Sequence, residues 1–154
     1  MFGVIIGIDP GFNKGAVALV NGSFAEVHDL PVIEGFGPDV HALADLLSGD
    51  GITHAFVERV GPMPKQGVSS VWKFAQAVGA IHAAVALSGV PMTLVTPQAW
   101  KKHHKLMADK EAARQRALQL FPALAAHLAL KKHADRAEAL LIAQFGLEAQ
   151  NVRV

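Results

Sequence analysis

Residues 4–8, a run of mostly β-branched apolar side chains, end in the carboxylate Asp9, and Pro10 and Gly11 follow at once. A short apolar run that a Pro-Gly turn ends is typical of a buried β-strand. An ionised carboxylate at the end of such a strand is costly unless a counter-charge or a bound cation pairs with it. Asp9 therefore constrains the fold strongly, because the chain has to bring a partner to the end of this strand.

The chain has 154 residues, of which 51% are apolar and 18% charged, so we expect one globular domain over residues 1–154. It contains no cysteine, which excludes disulfides, thiolate metal sites and cysteine nucleophiles and fits a reducing compartment. No basic segment with a cleavage site opens the sequence, and no apolar run has the length of a bilayer span. We therefore expect a cytoplasmic protein with no membrane partner.

The formal net charge is only +1, but the charges are unevenly distributed. Residues 1–58 contain eight acidic residues and one basic residue, Lys14. Residues 59–136 contain twelve basic residues and three acidic ones, a local charge of +9. Such asymmetry within one domain favours a polyanionic partner, although a solvated basic face would give the same pattern.

The apolar periodicity and the turn residues predict an ordered series of strands and helices. Asn21 and Gly22 lie between two apolar runs, a strong signal for a β-hairpin. Thr96 and Pro97 have the residue types of an N-cap and a first helical position. The predicted strands span residues 2–9, 15–20, 23–30, 53–60 and 92–95, and the predicted helices span 39–47, 69–87, a segment from 97, 109–120 and 135–145, the last ended by Gly146.

This order, β-β-β-α-β-α-β-α-α-α, predicts an α/β fold with a mixed five-stranded sheet flanked by helices. Its first three strands are expected to be antiparallel, and the first strand should lie between the second strand and the strand over 53–60. The turn after Asp9 and the Gly-Pro turn that follows Glu58 place both carboxylates at strand ends. In open α/β sheets, ligands bind at that edge.

Four carboxylates can meet at this edge. Asp9 and Glu58 are expected on adjacent strands, roughly 4.8 Å apart. Asp135 and Glu138 are three positions apart on the last predicted helix and so share a face. Hard oxygen ligands suit Mg²⁺ or Mn²⁺. Two such ions about 4 Å apart activate a water and stabilise the leaving oxygen in phosphodiester cleavage.

Each carboxylate also has a plainer interpretation. Asp9 could be a turn residue, Glu58 could form a surface ion pair with Arg59, and Asp135 could be the N-cap of the last helix. Glu138 could face solvent, but its helix is apolar on nearly every side, which favours a specific role. The joint placement of the four side chains is what favours a metal site.

Five segments in chain order carry a resemblance to one known family: residues 7–11, 56–58, 63–79, 95–111 and 135–143. In these segments the chain resembles the RuvC-type Holliday junction resolvases of the RNase H-like superfamily, in particular their phage-like branch. The resemblance implies an RNase H-like fold in which Asp9, Glu58, Asp135 and Glu138 are the catalytic carboxylates and hold two Mg²⁺ or Mn²⁺ ions. Glu138 departs from the aspartate that bacterial members usually carry, which bears on metal preference.

The resemblance also implies the substrate and the assembly. It predicts an endonuclease that resolves four-way DNA junctions by paired nicks from a symmetric homodimer, with no small-molecule cofactor. Two alternatives stay open: a related nuclease acting on another branched DNA or a structured RNA, and a non-catalytic junction-binding module. Sugar-kinase-like ATPases have a string similar to Gly-Ile-Asp-Pro-Gly, but 154 residues leave no room for the second domain that this family needs.

Basic and polar residues around the four carboxylates are candidate DNA contacts. His133 could equally orient a water or be an ordinary loop histidine. Trp72 could stack on an opened base pair, but we favour a core or dimer position for it. The candidate DNA contacts are Lys65, Gln66, Ser69, Ser70, Lys101, Lys102, Lys105, Lys110, Arg114, Lys131, Lys132, His133 and Arg136, and the candidate dimer residues are Trp72, Ala75, Gly79 and His82.

Overall fold

The structure, a computed structural model, describes residues 3–107 and 109–151. Its first three strands, β1 (Val4–Asp9), β2 (Ala16–Val20) and β3 (Ala25–Asp29), form an antiparallel meander as predicted. In the turn between β2 and β3, Asn21 Oδ1 accepts from the backbone N–H groups of Ser23 and Phe24, both at 2.8 Å. Phe2, the first residue of the predicted strand, and Ala108, within a segment of the resemblance, lie outside the described residues.

A small hairpin that the sequence did not indicate follows β3. It consists of β4 (Val32–Ile33) and β5 (Gly37–Pro38), paired antiparallel. Two-residue strands are too short to show an alternating pattern, which is why the periodicity missed them. Helix α1 (Val40–Leu47) comes next, and the side chain of Asp39 caps it by accepting from the Ala42 N–H at 3.1 Å.

Strand β6 (Ile52–Glu58) pairs in parallel with β1, and β7 (Met92–Val95) pairs in parallel with β6. The sheet order is β3-β2-β1-β6-β7, so the prediction of a mixed five-stranded sheet with β1 between β2 and β6 is confirmed. Helix α2 (Val68–Leu87) connects β6 to β7.

Three further helices complete the fold: α3 (Pro97–His103), α4 (Lys110–Leu120) and α5 (Ala134–Asn151). Two 3-10 turns, Pro122–His127 and Lys131–His133, join α4 to α5. Asp135 lies in the first turn of α5 and not at its N-cap.

The predicted end of α5 at Gly146 is wrong, since the helix continues to Asn151. Gly146 instead faces the sheet, where a Cβ would lie 2.2 Å from the ring of Phe56. A second glycine has the same role on β1, because a Cβ on Gly7 would lie 2.3 Å from the carbonyl oxygen of Ala139. These two glycines let α5 pack closely on β1 and β6, and they bring its first turns to the ends of those strands.

Strands β1 and β2 are buried on both faces because their alternate residues point to two apolar clusters, one on each face of the sheet. Ile5 and Phe56 pack with α5, whereas Ile6 and Ile8 pack with α1 and α2.

In the described part of the chain, α2 is the one helix that has the length and composition of a membrane span, contrary to our expectation. Ile81 and Val85 of this helix are nevertheless buried in the apolar cluster that contains Ile6 and Ile8.

Candidate metal centre and adjoining cleft

The four candidate carboxylates lie at one edge of the sheet. Asp9 is the last residue of β1, Glu58 is the last residue of β6, and the parallel register of these strands puts both at the same edge. Asp135 and Glu138 lie in the first turns of α5. All four line one open cleft of about 1110 Å³, and we refer to them as the carboxylate cluster.

Three members of the carboxylate cluster are close enough to share one ion. One ligand oxygen from each of Asp9, Asp135 and Glu138 lies within 4.8 Å of the other two. Across residues 3–107 and 109–151, no other group of three or more His, Asp or Glu side chains has this spacing. Glu58 lies outside the close group but lines the same cleft, and its ion pair with Arg59 is not formed among the described residues.

Burial makes the ionised state of the cluster unfavourable. Asp9, Glu58 and Glu138 are only 7%, 9% and 6% exposed. Burial raises the pKa of Asp9 well above its usual value, and the negative charges of Glu138, Asp135 and Glu58 raise it further. Burial also raises the pKa of Glu58. A cation bound among these oxygens would therefore stabilise the charged form of the cluster.

One ammonium group already approaches the cluster. Lys110, the first residue of α4, places its Nζ 3.7 Å from Asp135 Oδ1 and 3.7 Å from Glu138 Oε2. Burial lowers the pKa of Lys110, but the charges of Glu138, Asp135 and Asp9 outweigh burial and raise it. A single ammonium cannot neutralise four carboxylates, so the cluster keeps an excess of negative charge.

The donor set fits a hard divalent cation. All the candidate ligand atoms are carboxylate oxygens, which Mg²⁺ and Mn²⁺ prefer, and thiolate ligands are excluded because the chain has no cysteine. The open cleft beside them leaves room for water and substrate oxygens to complete the coordination. The identity and number of ions stay predictions.

Glu58 has a partner that the sequence did not reveal. The indole N–H of Trp100, a fully buried residue of α3, donates to Glu58 Oε2 at 2.7 Å. Trp100 was not among the site residues predicted from the sequence. The signal available was general, since a buried indole N–H needs an acceptor, but nothing in the pattern pointed to Glu58.

Solved structures of Holliday junction resolvases have this arrangement of strands and helices. Thermus thermophilus RuvC in complex with Holliday junction substrate matches with a TM-score of 0.70 and 22% identity, over 96% of this chain and 95% of that one. This chain has the fold of the RuvC-type resolvases.

Two further structures agree with that assignment of fold. Another Thermus thermophilus RuvC structure has a TM-score of 0.65 at 22% identity, over 97% of this chain and 96% of that one. The yeast mitochondrial Holliday junction resolvase Ydc2 has a TM-score of 0.61 at 12% identity, over 96% of this chain and 78% of that one. No protein-family model and no curated protein sequence matches the chain.

In this RuvC-type fold, the polar residues predicted to contact DNA divide into two groups. Five of them line the cleft beside the carboxylate cluster, and Lys65 lies next to this group in the loop that precedes α2. Lys14 and Lys73 also line the cleft, although sequence reasoning did not select them. The five predicted residues in the cleft are Gln66, Ser69, Ser70, Lys101 and Lys110.

The other predicted contacts lie away from the cleft, and three of them have partners within the fold. Arg114 donates to Glu111 and to the Leu128 carbonyl. Arg136 donates to both carboxylate oxygens of Asp29. The buried His133 accepts from the Leu130 N–H through Nδ1 at 3.1 Å. Those that remain exposed outside the cleft are Lys102, Lys105, Lys131 and Lys132.

The predicted dimer residues lie along the exposed side of α2. Trp72 is 66% exposed, which excludes the core position that the sequence allowed. Ala75 and Gly79 are exposed, and a Cβ on Gly79 would meet nothing within 4 Å. Ala75, Gly79 and the half-buried His82 border an apolar groove of about 340 Å³. A role of this surface in a dimer stays a prediction.

Proposed function

We propose that this chain is a metal-dependent endonuclease that resolves four-way DNA junctions by paired phosphodiester nicks. The observation that carries the proposal is the buried carboxylate cluster at the wall of an open cleft that lysines border, on a RuvC-type fold. The similar Thermus thermophilus structure contains a Holliday junction substrate. A protein that only bound DNA would gain nothing from four acidic groups beside the phosphates.

Asp9, Asp135 and Glu138 would hold one divalent ion, and Glu58 would complete the site together with Asp9. Such ions, when bound, activate the attacking water and stabilise the leaving oxygen of the phosphodiester. The cluster would orient the reacting phosphate at the end of β1. The burial of Asp9, Glu58 and Glu138 lowers the local dielectric constant and so strengthens their interaction with a cation.

The cleft residues would hold the DNA strand against the cluster. Lys14, Lys73 and Lys101 would neutralise phosphates, which predicts a strong dependence of binding on salt. Ser69 and Ser70, at the start of α2, would donate hydrogen bonds to phosphate oxygens. Lys110 would stabilise charge on the phosphate nearest Asp135 and Glu138.

A homodimer through the exposed side of α2 would place two such sites on one junction. This face carries Val68, Trp72 and Leu87, which are 87%, 66% and 86% exposed, and its small residues permit close approach of a second helix. Trp72→Asp is expected to convert a dimer to a monomer in analytical ultracentrifugation and to uncouple the two nicks. A wild-type protein that sediments as a monomer on the junction would contradict this assembly.

The activity is tested on an immobile four-way junction, labelled on each strand in turn, with Mg²⁺, with Mn²⁺ and with EDTA. Wild type is expected to cut two opposed strands only when a metal is present, and Asp9→Asn is expected to bind the junction without cutting it. A linear duplex of the same sequence and a structured RNA serve as controls. Preferential cutting of the RNA would indicate the related nuclease, and junction binding without cleavage by wild type would indicate a binding module.

A further inference from the structure

The pairing of β6 with β7 brings the start of α3 close to Glu58, and a side-chain hydrogen bond then joins Trp100 of this helix to Glu58. Glu58 is the register partner of Val95, the last residue of β7, and α3 begins two residues later. Thr96 caps this helix by accepting from the Ala99 N–H at 3.2 Å. The cap fixes the first turn of α3 and so directs the indole of Trp100 back towards the end of β6.

Packing alone does not account for a tryptophan at this position. Trp100 belongs to the same buried cluster as Phe56, Leu140 and Leu141, whose side chains carry no polar atom. A fully buried indole brings an N–H that needs an acceptor. The acceptor here is a carboxylate at the cleft, which makes the bond charge-assisted and roughly twice as strong as one between neutral groups.

The ring face of the same indole contacts Lys101, a residue that lines the cleft. The Nζ of Lys101 lies 5.4 Å from the centroid of the Trp100 ring, within the range of a cation–π interaction. Lys101 and Glu58 both line the cleft. Trp100 is therefore a buried link between a candidate metal ligand and a candidate phosphate contact.

We propose that Trp100 is the positioning residue of Glu58: its N–H holds Oε2 in place and leaves Oε1 to bind a divalent ion. The inference rests on the proposed metal-dependent function. Groups that orient a metal ligand from behind commonly contribute a factor of about 10–100 in metal affinity or activity. Loss of this single N–H should therefore weaken metal binding without removing any ligand.

The most direct test replaces only the indole N–H group of Trp100. The chain contains two tryptophans, so Trp72→Phe leaves Trp100 as the one that remains. Growth of a tryptophan auxotroph on β-(benzothien-3-yl)alanine then replaces the indole N–H by sulfur and keeps the shape of the ring. We expect the affinity for Mn²⁺ to fall about tenfold or more relative to the Trp72→Phe protein that contains ordinary tryptophan. Calorimetry and the electron paramagnetic resonance signal of free Mn²⁺ measure this affinity.

A second pair of proteins separates positioning from a general structural effect. If Trp100 acts through Glu58, the analogue should lower Mn²⁺ affinity in the Glu58 background and leave it unchanged in a Glu58→Gln background. An equal loss in both backgrounds would overturn the inference. Trp100→Phe, made by ordinary mutagenesis, repeats the comparison if the analogue is poorly incorporated.

The two proposals fail in different ways. A Trp72→Phe protein that binds no Mn²⁺ and a wild type that cuts no junction would contradict the proposed function. A Trp72→Phe protein that binds Mn²⁺, with an analogue-containing protein that binds it within about twofold as tightly, would leave the proposed function intact and overturn the role of Trp100. Unfolding temperatures in EDTA verify that both proteins are folded during the measurement.

Discussion

Asp135 and Arg136 are neighbours in the first turn of α5, yet they belong to ionic groups of opposite kinds. Arg136 donates to the two carboxylate oxygens of Asp29 at 2.7 and 3.0 Å and so ties α5 to the end of β3. We call Asp29 and Arg136 the anchor pair. Asp135 instead lines the cleft with the rest of the carboxylate cluster, where Lys110 is the cation at ion-pair distance among the described residues.

The pKa values of the two groups move in opposite directions. The hydrogen bond from Arg136 lowers the pKa of Asp29, whereas burial raises the pKa of Asp9. In the anchor pair the chain neutralises its own charge, and the result is a contact that serves the fold. In the carboxylate cluster the chain leaves negative charge in excess, and the excess is useful only when a cation from solution binds there.

The same substitution of aspartate by asparagine in each group should give the largest difference between them, and the difference should be in the rate of junction cleavage. Asp9→Asn is expected to reduce junction cleavage about 10³-fold, because loss of a metal ligand removes several kcal/mol of transition-state stabilisation. Asp29→Asn makes the same chemical change and should leave the cleavage rate within about twofold of wild type, since an exposed ion pair contributes about 1 kcal/mol or less. Single-turnover cleavage of a labelled junction measures both rates. Equal losses in the two variants would contradict the division between the groups.

Removing the ammonium of Lys110 tests whether the excess negative charge of the carboxylate cluster binds a metal ion. In Lys110→Met, Mn²⁺ should bind more tightly, by up to about tenfold, because the ion no longer meets a neighbouring ammonium. Junction cleavage should nevertheless slow, since a phosphate near the cluster loses a cation. Calorimetry measures the affinity, with Lys102→Met as the control because Lys102 is exposed outside the cleft. Weaker Mn²⁺ binding in Lys110→Met alone would show that the ammonium supports the metal site.

The pH dependence of stability in EDTA should have opposite signs at the two groups. The folded-state pKa of Asp9 is raised, so the unfolded chain ionises first as the pH rises above 3.8, and stability falls across that window. The folded-state pKa of Asp29 is lowered, so its contribution is present above 3.8 and is lost as the pH falls through the folded value. Above the window Asp9→Asn should therefore be more stable than wild type, and Asp29→Asn should be less stable.

The expected size of these changes is a few degrees in unfolding temperature, because about 1 kcal/mol shifts it by roughly 2–4 °C in a domain of this size. Thermal unfolding in EDTA from pH 3 to pH 8 measures them. Added Mn²⁺ should reverse the order of wild type and Asp9→Asn, since an ion that binds only the folded state stabilises it. An Asp9→Asn protein that is less stable than wild type in EDTA would mean that Asp9 is already neutralised within the chain.

The parts of the fold that local chemistry specifies could be predicted from the sequence. Asn21 and Gly22 specify the hairpin, Asp39 and Thr96 specify helix starts, and the turns after Asp9 and Glu58 place these carboxylates at strand ends. Each of these signals acts within a few residues, and the structure has the corresponding element in each case.

The parts that depend on distant residues could not be predicted. Gly146 resembles a helix stop, but its actual role is to let α5 approach Phe56, which is 90 positions earlier in the chain. Arg114 and Arg136 resemble phosphate ligands, but Glu111 and Asp29 occupy them. The bond from Trp100 to Glu58 joins residues 42 positions apart. In every case the residue type fitted two roles, and the tertiary contact selected one of them.

A substitution of Glu138 gives the smallest expected difference between the carboxylate cluster and the anchor pair, because it can change the geometry of the cluster without changing its charge. Glu138→Asp shortens the side chain by one methylene and restores the residue that the resemblance to bacterial RuvC-type resolvases leads us to expect. Mg²⁺ demands near-ideal octahedral geometry at about 2.0–2.1 Å, so it should respond to a displaced oxygen more than Mn²⁺ does. We expect the ratio of cleavage rates in Mg²⁺ and Mn²⁺ to change by a few fold, while the anchor pair and the unfolding temperature in EDTA stay as in wild type. If the ratio is unchanged and Glu138→Gln also cuts normally, the oxygens of Glu138 do not bind the ion, and its burial beside Lys110 has to be explained by that ion pair instead.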